Sequence, residues 1–186
     1  MNVLVLFGST RTERKGEVVF DWVKQQLEDQ NNFSTDAVDL RDIQLPFYDE
    51  VKSVGGIEYD NYTHAEGAAW GKRVESADAF IIITPEYNHG TSAVLKNAID
   101  YAWQGWNYKP VSFISYSSGT VAGARATEQL RLIASGVKLL PLPTAVHIPN
   151  LADSFDESGQ PTTEKIPGAL NSLITELADI GGKLTR

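Results

Sequence analysis

Apolar runs and amphipathic stretches alternate along this chain. Val3 to Phe7 is a continuous apolar run, as expected of a parallel strand covered on both faces. From residue 16 to 30 the period changes, and Val18, Val19, Trp22, Val23 and Leu27 form a stripe at helical spacing. Asp36 to Leu40 predicts a short second strand. Residues 41–61 carry Gly, Pro and Asp and predict a long loop, a length that in compact domains usually marks function. Residues 62–76 predict a weaker helix, and Ala79 to Thr84 a third strand. Ser92 to Gln104 predicts a helix with Val94, Leu95, Ala98, Ile99 and Ala102 on one side. Pro110 to Tyr116 is a fourth strand, Ala122 to Ser135 a helix, and Leu139-Leu140 with Thr144-Ala145-Val146 a fifth strand interrupted by prolines. An exposed loop is expected over 149–164. A last helix follows over 164–180, with Ile166, Leu170, Leu173, Ile174 and Leu177 inward. Five strands alternating with helices predict an α/β fold, a three-layer sandwich in one domain spanning 1–186, because right-handed crossovers place helices on both sheet faces.

Composition narrows the partners. The 186 residues are 42% hydrophobic and 22% charged, ordinary values for a globular domain. A formal net charge of -8 argues against non-specific binding to nucleic acid or an anionic membrane, both of which need a basic face. The chain has no cysteine, which removes disulfides, thiolate chemistry and Cys-type metal sites. His64, His89 and His147 show no ligand spacing, so no metal site is expected. With no basic n-region before Val3 and no apolar stretch of bilayer length, the expectation is a soluble cytoplasmic protein.

Three strand ends carry the candidate chemistry. The first strand leads into Gly8-Ser9-Thr10-Arg11-Thr12-Glu13-Arg14-Lys15-Gly16. This is no Walker loop, since Gly16 is followed by Glu17, and only two glycines are present where the dinucleotide pattern needs three. A hydroxyl pair and three cations at a helix N-terminus would hold a monophosphate; a polar turn with solvated cations fits the segment about equally well. The third strand leads into Pro85-Glu86-Tyr87-Asn88-His89-Gly90-Thr91-Ser92, a polar turn that offers a ring, a carboxamide and backbone donors to a planar ligand. The fourth ends in Tyr116-Ser117-Ser118-Gly119-Thr120, whose hydroxyls and amides belong either to the same crevice or to a flexible loop. In a five-stranded parallel sheet of order 2-1-3-4-5, strands one and three are neighbours at the switch point where such sheets bind ligands. The two first loops then form one site, phosphate on one side and ring on the other.

Gly8-Ser9-Thr10-Arg11, Pro85-Glu86-Tyr87-Asn88 and Leu95-Lys96-Asn97-Ala98-Ile99-Asp100 together resemble the NADPH-dependent FMN reductase family of the flavodoxin-like superfamily. The resemblance runs from about residue 2 to 180. It implies a flavodoxin-like sandwich, FMN as cofactor and NADPH or NADH as hydride donor. The implied acceptor is a small molecule such as a quinone, azo compound, free flavin or metal oxyanion, and the implied assembly a homodimer or homotetramer. By the same resemblance, Ser9, Thr10, Arg11, Arg14 and Gly16 contact the phosphate. Pro85, Glu86, Tyr87 and Asn88 contact the isoalloxazine and ribityl, with Ser117, Ser118 and Gly119 at the ring. Arg14-Lys15-Gly16 stands where many members carry a serine, so a charged contact is expected to replace a hydroxyl one. Flavin chemistry needs no side-chain acid or base, so no catalytic residue is expected, and the Glu86 backbone is expected to matter more than its carboxylate. Trp103, Trp106 and Tyr108 read as core or subunit contacts, with substrate stacking as the sharper alternative. A flavodoxin-type electron carrier and a non-catalytic flavin-binding regulator are the rival readings; the cluster of Arg11, Arg14 and Lys15 speaks against the carrier.

Overall fold

The five apolar runs become the strands of one sheet. The computed structural model describes residues 1–184. In chain order it contains β1 (Asn2–Phe7), α1 (Glu17–Glu28), β2 (Ser34–Asp39), α2 (Leu40–Ile43), two 3₁₀ turns (Val54–Gly56 and Tyr59–Asn61), α3 (Ala65–Glu75) and β3 (Ala79–Pro85). Then follow α4 (Ala93–Asp100), α5 (Trp103–Trp106), β4 (Pro110–Tyr116), α6 (Ala124–Gly136), β5 (Leu140–Ile148), α7 (Leu151–Ser154) and α8 (Lys165–Leu184). The strands are all parallel, in the order β2-β1-β3-β4-β5. This is the expected flavodoxin-like arrangement.

Alternation along the strands divides the core in two. Leu4, Leu6, Phe80 and Ile82 point to one face, where Trp70, Val74, Leu95, Ile99, Trp106 and Leu130 of α3 to α6 cover them. Val3, Val5, Phe7, Ile81 and Ile83 point to the other, against Val19, Trp22, Val23, Leu170, Leu173 and Leu177 of α1 and α8. Both faces of the central strands are dry, which is why those strands read as unbroken apolar runs.

Three elements differ from the expectation. The helix foreseen over 92–104 stops at Asp100, because side chains take the carbonyls that would extend it. The Trp70 indole donates to Ala98 O at 2.7 Å, the Trp106 indole to Ile99 O at 2.9 Å, and the Tyr62 hydroxyl to Tyr101 O at 2.7 Å. The fifth strand is longer than expected, since β5 lies at the sheet edge and tolerates Pro141 and Pro143 beside a register shift opposite Val111–Phe113. The segment 149–164 is no simple exposed loop. Leu151 and Phe155 are buried, and the Phe155 ring meets Trp22 edge-on at 5.8 Å. Trp106 is fully buried against Phe80, centroids 4.6 Å apart, while Tyr108 is exposed. Trp106 therefore belongs to the core and Trp103 packs against it, whereas Tyr108 does not. Among the described residues no helix is long and apolar enough to cross a membrane.

Trp106→Ala should cost about 3–5 kcal/mol, the usual range for emptying a buried aromatic site. Chemical denaturation of the variant against the parent measures it; a loss below about 1 kcal/mol would contradict the packing described.

Candidate functional site

The switch point builds the site. The register sets Phe7 beside Ile83 and Pro85 beside Tyr116, so the loops after β1, β3 and β4 leave the sheet side by side. They enclose a cavity of about 350 Å³, within the roughly 300–1,000 Å³ of small-molecule sites. Of the residues expected at the site, Ser9, Arg11, Arg14, Pro85, Glu86, Tyr87, Ser117 and Ser118 line it. Thr10, Gly16, Asn88 and Gly119 lie in the same loops but off its wall. Glu13, Lys15, Tyr116, Leu151 and Ala152 complete the lining.

The cations of the first loop have separate roles. Arg14 is buried, and each of its five N–H groups has a protein acceptor. Its guanidinium pairs with both Asp39 carboxylate oxygens, donates to the Ser9 carbonyl, and reaches Glu17 Oε1 at 2.9 and 3.0 Å. It also lies over the Phe7 ring at 4.5 Å. Those bonds tie the loop to the end of β2 and the start of α1, while the residue also lines the cavity. Arg11 and Lys15 are exposed cations on the cavity wall and form no ion pair among the described residues. The backbone N–H groups of Ser9, Thr10, Arg11, Thr12 and Glu13 likewise donate to no protein acceptor among those residues. Two unpaired cations and a run of free amides before α1 make an anion cradle.

The second loop is a tight hairpin. Tyr87 and Gly90 exchange backbone hydrogen bonds of 2.8 and 2.9 Å, with Asn88 and His89 between them at φ 50° and 67°. Two positive φ angles in a two-residue turn are the type I′ geometry that asparagine tolerates best after glycine. Asn88 shapes this turn and does not line the cavity. The Glu86 carboxylate is buried and paired with Arg125 at 2.7 Å, and it accepts the Arg125 amide at 3.2 Å, closing the first turn of α6. That carboxylate is engaged by the scaffold. Ser92 caps α4 through Leu95 N and donates to the Gly8 carbonyl at 2.5 Å, while Ser9 Oγ and Tyr87 Oη pair at 2.9 Å. The two loops are thus bonded to each other. Asn97, in the Leu-Lys-Asn helix, donates to Pro46 O and accepts from Tyr48 N, clamping the long loop that follows α2.

The third loop is ordered by its own atoms. Ser117 N donates to Ile148 O, Leu151 N to Ser117 O, and the Ser117 hydroxyl to Gly119 O at 3.0 Å. These bonds bring α7 over the cavity and supply Leu151 and Ala152 to its wall. Sequence reading missed both, since their segment looked like solvent-exposed connection; Leu151, an apolar residue in a polar stretch, was the available signal. Tyr116, which opens the segment expected either in this crevice or in a flexible loop, lies on the cavity wall. Gly16 was expected at the phosphate, but the Tyr116 ring packs against it so closely that a Cβ there would overlap the phenol.

Known proteins resemble the chain in sequence and in fold. The family model described as NADPH-dependent FMN reductase matches residues 1–153. The chain is 37% identical to an NAD(P)H-dependent FMN reductase of Schizosaccharomyces pombe, over 76% of this chain and 70% of that one. It is 28% identical to a quinone reductase of Pseudomonas putida, over 86% and 83%. Among solved structures, the flavoenzyme NAD(P)H:(acceptor) oxidoreductase FerB of Paracoccus denitrificans superposes with a TM-score of 0.79 at 25% identity, covering 98% of this chain and 97% of that one.

Burial works to raise the Asp39 pKa, but the Arg14 guanidinium, and after it the Arg41 amide, outweigh that and hold the carboxyl below its ordinary 3.8. A depressed folded pKa adds stability that is present above pH 4 and lost as pH falls through the folded value. Asp39→Asn should therefore cost on the order of 3 kcal/mol at pH 7. The gap between variant and parent should narrow below about pH 4. Urea midpoints across pH 3–7 check it, and a gap independent of pH would refute the ion pair.

Proposed function

This chain belongs to the NADPH-dependent FMN reductase family, and we propose that it is an FMN-dependent NAD(P)H oxidoreductase delivering electrons to a small acceptor. The observation that carries this reading is the division of the cavity. Unpaired cations and free amides stand at the Ser9–Lys15 end, and Pro85, Tyr87 and the loop hydroxyls at the other. A phosphate-bearing planar molecule fits that division. Arg11 and Lys15, with the amides of residues 9–13, take the phosphate of FMN, and Thr10 and Gly16 carry the loop around it. Pro85 to Asn88 form the shelf for isoalloxazine and ribityl, with Ser117, Ser118 and Gly119 at the ring edge.

Bound there, FMN supplies a two-electron carrier that accepts hydride from a nicotinamide and passes electrons to the acceptor. The chain's own part is binding and electrostatics. The Arg125 partner neutralises Glu86, so the shelf itself presents amides and hydroxyls, which suit a ring that gains electron density. Leu151 and Ala152 close one wall against water. A quinone, azo compound, free flavin or metal oxyanion is the proposed acceptor class, quinones being supported by the Pseudomonas putida relative. A homodimer or homotetramer fits the exposure of Phe47 and Val51 on the loop after α2, apolar side chains that a second subunit would cover. A reducing, nicotinamide-rich cytoplasm is the setting this chemistry implies.

Anaerobic visible spectra of the FMN-loaded protein, taken before and after NADPH and then NADH, test cofactor, donor and redox competence together. Bleaching of the flavin band is expected, and failure to retain flavin would end the proposal. Arg11→Ala should weaken FMN binding by about 1.5–3 kcal/mol through loss of a charge-assisted contact, read by fluorescence titration. An unchanged affinity would remove Arg11 from the phosphate site.

A further inference from the structure

Tyr116 ends β4 on the cavity wall and is 6% exposed, yet its hydroxyl has no hydrogen-bond partner. A buried hydroxyl left unpaired is costly, and native structures leave few. Its surroundings state what would complete it. Ser9 is the nearest hydroxyl, and its oxygen already pairs with Tyr87 Oη at 2.9 Å. The phenol sits over Gly16, directly before the N-terminus of the twelve-residue helix α1, next to the amides of residues 9–13 that have no acceptor. Burial pushes the phenol well above its ordinary pKa, with Tyr87 acting the same way; Ser9, Arg14 and Arg11 oppose this without overcoming it. The group therefore stays protonated at physiological pH, and its O–H is available to an acceptor.

We propose that the Tyr116 hydroxyl is a ligand of the bound phosphate, a neutral donor supplied from β4 beneath the cradle that the first loop forms. The role also accounts for Gly16. Its φ of -73° and ψ of -5° are open to any residue, so glycine is required there for the space the phenol occupies and not for its backbone freedom. Arg11 and Lys15 attract the anion from the solvent side, and Tyr116 meets one of its oxygens from the protein side. The proposal rests on the FMN reading for the identity of the phosphate's carrier, though the donor's chemistry stands apart from it.

The test compares the parent with Tyr116→Phe, which removes one oxygen and keeps the ring, against three probes: FMN, riboflavin and inorganic phosphate. Tyr116→Phe should weaken FMN binding roughly 10- to 100-fold, as expected for a lost bond to a charged group. Riboflavin affinity should stay within about twofold, and the thermal stability of the flavin-free protein should hold or rise, because an unpaired buried group is gone. The rise in melting temperature that the parent gains from inorganic phosphate should shrink in the variant. Gly16→Ala, which drives the phenol from its seat, should give the same FMN-selective loss. FMN and riboflavin weakened alike, or FMN unchanged, would overturn the assignment. A parent that binds neither flavin but loses its phosphate response in Tyr116→Phe would sink the FMN reading and leave the donor standing.

Discussion

The Arg14 guanidinium is the contact on which the rest of the site depends. It closes the first loop against the end of β2 and the start of α1 through Asp39 and Glu17, and holds the Ser9 carbonyl with a further bond. The loop carries amides and exposed cations with no protein partner among the described residues, and one buried cation whose own donors are all satisfied holds it in place. Removing that anchor would free the loop to collapse onto its own acceptors, and the preformed cradle would be lost.

Around this anchor, charge is sorted into structural and available groups. Glu86 pairs with Arg125, Arg73 with Asp36, and Lys96 with Asp100. Arg11 and Lys15 have no such partner among the described residues. In a chain of net charge -8, unpaired cations gathered on one wall of a cavity are an electrostatic preference for an anion at that place. The same sorting applies to hydroxyls: Ser9 and Tyr87 pair with each other, Ser92 serves Gly8, and Tyr116 is left open.

Joining the two main loops to each other has a mechanical consequence. The bonds Ser92–Gly8 and Ser9–Tyr87 cross from the third strand's loop to the first, so the proposed phosphate and ring halves cannot move apart independently. A ligand that spans both halves meets a surface already set at its spacing. Little conformational entropy then remains to be lost on binding.

The alternation of apolar and amphipathic segments determined the strands and the layered parallel architecture; the strand order came with the flavodoxin-like resemblance. The strands and layers follow from hydrophobic periodicity and chain handedness, which are local or nearly universal. The motifs, through the family they resemble, pointed to Ser9, Arg11, Pro85, Tyr87 and Ser117, and all five line the cavity. Tertiary structure alone decided which of three neighbouring cations is free, since Asp39, far away in sequence, reaches Arg14 and not Arg11 or Lys15. It also decided that Asn88 shapes a turn, that Gly16 makes room for a phenol, and that α7 delivers Leu151 to the cavity. Each of these turns on the competition between partners brought together by the sheet, and no pattern along one chain records which partner wins.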